Sequence, residues 1–187
     1  MGLILCVNGQ AHSLSTTAID LYKVNGLWVA QFTISQEGAN IALEETWGQS
    51  LQSFEVQEFK EKYIAYIKER VHLSSNDQTI YLGEGGIKLG AHETKITFML
   101  PDLAPDFDQL NMHIPLFESL EGQHTIVRID TEEGQVKAIL KSSNSFKAYF
   151  SRGEINYSST LNVNSYIWLG LGVVFIFALV LFYYFSK

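Results

Sequence analysis

Residues 166–185 read YIWLGLGVVFIFALVLFYYF, twenty positions without a charge. At 1.5 Å per residue a helix of this length spans ~30 Å, the thickness of a bilayer's hydrocarbon core. Tyr166 and Trp168 stand at one end and Tyr183 and Tyr184 at the other, matching the aromatic belts of the two membrane–water interfaces. Buried core helices are usually shorter and interrupted by polar residues. The stretch is therefore expected to be a single transmembrane helix, and what precedes it a domain held at a membrane surface.

The remaining chain is long enough for one domain of about 145 residues with its own core. Setting aside Lys187, 12 basic residues face 20 acidic ones, a net charge of −8. Such a domain repels phosphate backbones, so nucleic acid is not an expected partner. Cys6 is the single cysteine, which excludes an internal disulfide or a multi-cysteine metal site.

The first eleven residues, MGLILCVNGQA, join an apolar run to small residues at −3 and −1 before His12. This fits the end of a signal peptide with a cleavage point after Ala11, although the segment is short and lacks a basic start. The expected organisation is then a signal-peptide remnant at 1–11, a β-rich domain at 12–152, a polar tether at 153–165, the span at 166–185 and a two-residue tail. Lys187 beyond the span adds a weak positive-inside bias toward an extracytoplasmic domain. The competing arrangement is a tail-anchored protein whose domain faces the cytosol.

Within the domain, period-two alternation dominates. Asn25-Gly26 between extended runs signals a hairpin, and Trp28, Ala30, Phe32 and Ile34 share the face expected to be buried. Thr94, Ile96, Phe98 and Leu100 alternate likewise, as do Leu110, Met112, Ile114 and Leu116, then Thr125, Val127 and Ile129, then Val136, Ala138 and Leu140. One helical period interrupts them over 54–71, where Phe59, Tyr63, Ile64, Ile67 and Val71 recur at three- and four-residue steps, with Ser53 as the expected cap. Residues 36–48, broken by Gly38, are expected to be a loop or a short helical turn. The fold class is mainly β with an inserted helix, a β-sandwich-like (Ig-like) domain.

Candidate chemistry rests on histidines and one acidic loop. If processing leaves His12 first, its α-amino group and imidazole suit nickel or copper, with His92, His113 or His124 as further ligands. No pair has HxxxH spacing, and surface histidines of this kind are usually structural. Asp102, Asp106 and Asp108 could bind calcium or, with His92, serve a membrane-tethered hydrolase. The loop lacks the glycine and terminal glutamate of a calcium loop, no GxSxG elbow occurs, and an enzyme is not expected. Gly83, Gly85 and Gly86 lack the strand–GxGxxG–helix context of a phosphate loop.

Four segments carry a family resemblance: Ala11-His12 after the apolar run, FKEKYIAYIKERVHL at 59–73, LGAHETKITF at 89–98 and QHTIVRI at 123–129. On these the chain resembles the extracytoplasmic N-terminal domain of bacterial HupE/UreJ-type membrane proteins and related signal-bearing small domains of unassigned function. The resemblance implies an exported, membrane-attached β-type domain in the bacterial cell membrane. It also implies an association with nickel uptake, although a single apolar span does not supply the transport function of a polytopic domain. The expected function is a binding or accessory module for another integral membrane protein, extending to nickel or copper handling.

Overall fold

The computed structural model describes residues 16–157. The signal-peptide reading, His12 and the anchor residues Tyr166, Trp168, Tyr183 and Tyr184 lie outside them. Among the described residues no helix is long and apolar enough to cross a membrane.

Strand β1 (Thr16–Val24) turns through Asn25 (φ 51°) and Gly26 (φ 81°) into β2 (Leu27–Ser35). Both turn residues are left-handed, as the Asn-Gly pair predicts. Two helices follow before any further strand, α1 (Gln36–Trp47) and α2 (Val56–Arg70). Then come β3 (His72–Ser75), β4 (Gln78–Ile80), β5 (Gly85–Leu89), β6 (Glu93–Leu100), β7 (Gln109–His113), β8 (His124–Thr131), β9 (Gly134–Lys141), β10 (Lys147–Ser151) and β11 (Glu154–Asn156).

These strands form two sheets, a six-stranded one ordered β5-β6-β2-β1-β8-β9 and a five-stranded one ordered β11-β10-β7-β3-β4. All pairs are antiparallel except β1 with β8, which run parallel with Thr16 opposite His124 and Leu21 opposite Ile129. Asp20 faces Arg128 in that register, and the guanidinium grips both carboxylate oxygens.

The alternating residues supply one continuous core. Ile19, Leu21, Phe32, Ile96, Phe98, Val127 and Leu140 of the larger sheet join Leu73, Leu110, Met112 and Phe150 of the smaller one in a single buried cluster. α2 contributes Phe59, Tyr63, Tyr66 and Ile67 to it. Phe117 stacks on Tyr66 with ring centroids 5.3 Å apart, and the Tyr66 hydroxyl accepts the Phe117 N–H at 3.0 Å. At another edge, Trp28 meets Phe107 at 5.0 Å and Phe107 meets Phe150 at 5.4 Å, an aromatic chain from one sheet to the other.

Three details differ from expectation. The region expected as a loop or a short helical turn forms the 12-residue α1, which buries Gly38, Ala39, Ala42 and Leu43. Its face is built mostly of small residues, so it leaves a weak helical signature. It ends at Gly48 (φ 64°), whose N–H returns to the Glu44 carbonyl at 2.8 Å. Ser53 does not cap α2; it closes a short 3₁₀ turn, its hydroxyl donating to the Ser50 carbonyl, and Glu55 takes the cap position. The stretch expected as tether begins with β11, paired to β10 through Tyr149–Asn156.

Candidate functional site

A polar concavity on the outer face of the five-stranded sheet follows from alternation in β3, β7 and β10. Leu73, Met112 and Ala148 point inward and are at most 4% exposed. Their neighbours His72 and Ser74, Asn111 and His113, and Lys147 and Tyr149 therefore point outward. Register aligns them into two rows, His72–His113–Lys147 and Ser74–Asn111–Tyr149. With Lys68 near the end of α2 and residues of β4, they line a groove of about 600 Å³.

The His72 and His113 rings lie 5.5 Å apart, tilted by 31°. Partial burial pushes His113 below the ordinary imidazole range, and the positive charge of Lys147 and then His72 pushes the same way. Glu118 opposes this, but its carboxylate is held by Arg70 at 2.9 Å. None of the described residues lining the groove is an Asp or a Glu. On a protein of net charge −7 this is a local reversal of sign.

A second cleft, of about 670 Å³, opens beside the Trp28–Phe107–Phe150 chain. Asp106 and Asp108 line it with Asp130, Glu132 and Glu133, and Lys23 and Arg152 supply opposite charge. Trp28 fixes its wall by donating to the carbonyls of Ala104 at 3.0 Å and Pro105 at 3.1 Å. Asp102 is not among its lining residues; its carboxylate accepts the Tyr81 N–H at 3.4 Å.

The expected histidine set is not brought together. His12 lies outside the described residues. His92 is exposed just before β6, and its carbonyl accepts the Gln36 N–H at 3.0 Å. His124 opens β8 in the larger sheet, with one ring nitrogen 3.0 Å from the Thr16 hydroxyl and the other 3.2 Å from the Gly122 carbonyl. His113 ends β7 in the smaller sheet. Among the described residues no group of three or more His, Cys, Asp and Glu side chains is placed to hold a metal ion. The hydrolase constellation also comes apart: His92 precedes β6 and the acidic loop follows it, so an eight-residue strand separates them by ~26 Å.

His72 is the partner that sequence reasoning missed. Its alternation with Leu73 is visible in the sequence, but its pairing with His113 depends on a register between strands forty residues apart. No protein-family model matches the chain, and no curated protein matches it.

Proposed function

We propose that this chain is a single-span, membrane-anchored binding module that serves another integral membrane protein in the bacterial cell membrane. Its domain lies on the extracytoplasmic side, and its two sheets sharing one core make it sandwich-like. The groove on the outer face of the five-stranded sheet is the observation that carries the reading. A built concavity of about 600 Å³, opposite in charge to the rest of the molecule, suits recognition better than it suits a solvated sheet face.

Chain length supports the placement. Nine residues take the chain from Tyr157 to Tyr166, a reach of at most ~30 Å even when fully extended. β11 pairs with β10, so the groove's Tyr149 stands one strand from where the chain leaves for the anchor. The resemblance to HupE/UreJ-type domains fits this reading. Its described segments encode mainly core positions, including Tyr63, Ile67, Phe98 and Val127, so it speaks to packing rather than to chemistry.

The test is site-specific photocrosslinking in native membranes. A crosslinker at Asn111, in the groove, should capture one membrane protein of constant mass, and one at Lys137, on the outer face of the larger sheet, should not. Equal capture at both positions, or none at Asn111, refutes the reading.

Metal handling is a second reading with one observation in its favour, the His72–His113 ring pair at 5.5 Å. Lys147 beside the pair disfavours a bound cation by like-charge repulsion. Elemental analysis after equilibration with nickel or copper decides it: stoichiometric metal lost in His72→Ala supports the reading, and metal-free protein ends it.

A further inference from the structure

We propose that the groove on the five-stranded sheet is a phosphate-recognition site, in which Lys68 and Lys147 neutralise the anion and His72, His113, Asn111 and Tyr149 orient it by hydrogen bonding. This deepens the binding-module reading by naming what the same face recognises.

Charge is the first argument. Lys68, His72, His113 and Lys147 line a cavity without a carboxylate among its described lining residues. Around His113, Lys147 projects from β10 and His72 from β3; Lys68 of α2 lines the same groove, its ammonium 5.6 Å from the Phe98 ring centroid. Among the described residues the carboxylates nearest the lining have partners: Glu118 pairs with Arg70 at 2.9 Å, and Asp102 accepts the N–H of the lining residue Tyr81 at 3.4 Å. A folded protein that sets like charges beside one another incurs repulsion, which a bound anion removes.

Donor chemistry narrows the anion. A phosphate monoester carries three acceptor oxygens and, near neutral pH, between one and two negative charges. Two fixed ammonium charges match that charge, and the Asn111 amide and the Tyr149 hydroxyl supply directional donors from the adjacent row. About 600 Å³ is more space than a phosphate alone fills, so the group arrives on a larger molecule. A soluble phosphate ester and a lipid headgroup present the same chemistry. The adjacency of Tyr149 to Asn156, where the chain departs toward 166–185, brings headgroups within reach.

The test titrates the full chain, in uncharged detergent micelles, with inorganic phosphate and with short-chain phosphatidic acid by calorimetry. Expected are saturable phosphate binding at pH 6.5 and a fivefold or greater loss in Lys147→Gln and in Lys68→Gln. Lys137→Gln, on the other sheet, serves as the control and should bind as the parent does. All three sites are exposed, so these variants should fold, and unchanged circular dichroism would verify it. Phosphatidic acid at least tenfold tighter than phosphate supports a lipid headgroup as the source; equal affinities support a soluble ester. No heat of binding at about 20 mM phosphate, well above a millimolar dissociation constant, overturns the proposal, as does a loss that is equal in Lys137→Gln. Photocrosslinking at Asn111 does not depend on phosphate, so the two readings fail separately.

Discussion

Tyr63 and Tyr66 lie three residues apart on α2, both buried, yet deletion of their hydroxyls should act in opposite directions. The Tyr66 hydroxyl accepts the buried Phe117 N–H at 3.0 Å. The Tyr63 hydroxyl is buried with no hydrogen-bond partner among the described residues. Tyr66→Phe keeps the ring and its stacking on Phe117 but leaves that N–H without an acceptor, at a cost of about 1–3 kcal/mol. Tyr63→Phe removes an unsatisfied polar atom and should be neutral or stabilise by up to ~1 kcal/mol. For a domain of this size each kcal/mol moves Tm by ~2–4 °C. Tyr66→Phe should then lower Tm by ~2–12 °C and Tyr63→Phe leave it unchanged or raise it slightly, read by near-ultraviolet circular dichroism of the aromatic cluster. The pH dependence gives a second readout. Burial raises both tyrosines above the unfolded value of 10.0. Their contribution is fully present below pH 10 and is lost as pH rises further, because the unfolded chain releases protons that the folded one retains. Tyr63→Phe should flatten that alkaline limb. If Tyr63→Phe destabilises as much as Tyr66→Phe, the hydrogen-bond reasoning is wrong.

Four further expectations follow from particular contacts. In NMR titrations His113 should titrate below 6.5, and Lys147→Gln should move its midpoint upward by removing a positive charge; an unmoved midpoint would leave burial and His72 as the causes. The depressed value also means that His113 contributes stability above pH 6.5 that is lost as pH falls through its folded midpoint, so His113→Gln should flatten the acid limb of a urea-unfolding series. Arg128→Ala breaks the half-exposed pair with Asp20 and should cost ~0.5–1 kcal/mol, less in 1 M salt; a cost that salt does not touch would assign it to lost packing. Gly85→Ala should detach the edge strand β5, since an added Cβ would lie 1.9 Å from the Thr97 carbonyl oxygen; wild-type hydrogen-exchange protection at Ile87 would refute this.

Much of the fold was readable because burial here follows period two. The faces Trp28–Ala30–Phe32–Ile34, Thr94–Ile96–Phe98–Leu100 and Thr125–Val127–Ile129 are buried as their alternation required. The expected helix over 54–71 forms as Val56–Arg70. α1 was legible only as one alternative, a short helical turn, because Gly38, Ala39 and Ala42 are buried without the large apolar residues that mark a helical stripe. The candidate site was half legible. His113 was singled out by residue type, but its neighbours His72 and Lys147 reach it through register, which depends on how β3, β7 and β10 are brought together. His92 and the acidic loop are close in sequence, yet a strand keeps them apart.

The parallel pairing of β1 with β8 has a consequence for biosynthesis. Thr16 and His124 are 108 positions apart, so the larger sheet cannot complete its centre until most of the domain has been made. β1, β2 and β6 can pair earlier, but β1 keeps one edge open until β8 arrives, and closing so long a loop slows folding. A nascent chain therefore carries an unsatisfied strand edge for most of its synthesis, the state most prone to misassociation. Ribosome-arrested chains truncated before residue 124 should be protease-sensitive throughout β1, and chains extended beyond β9 should be protected.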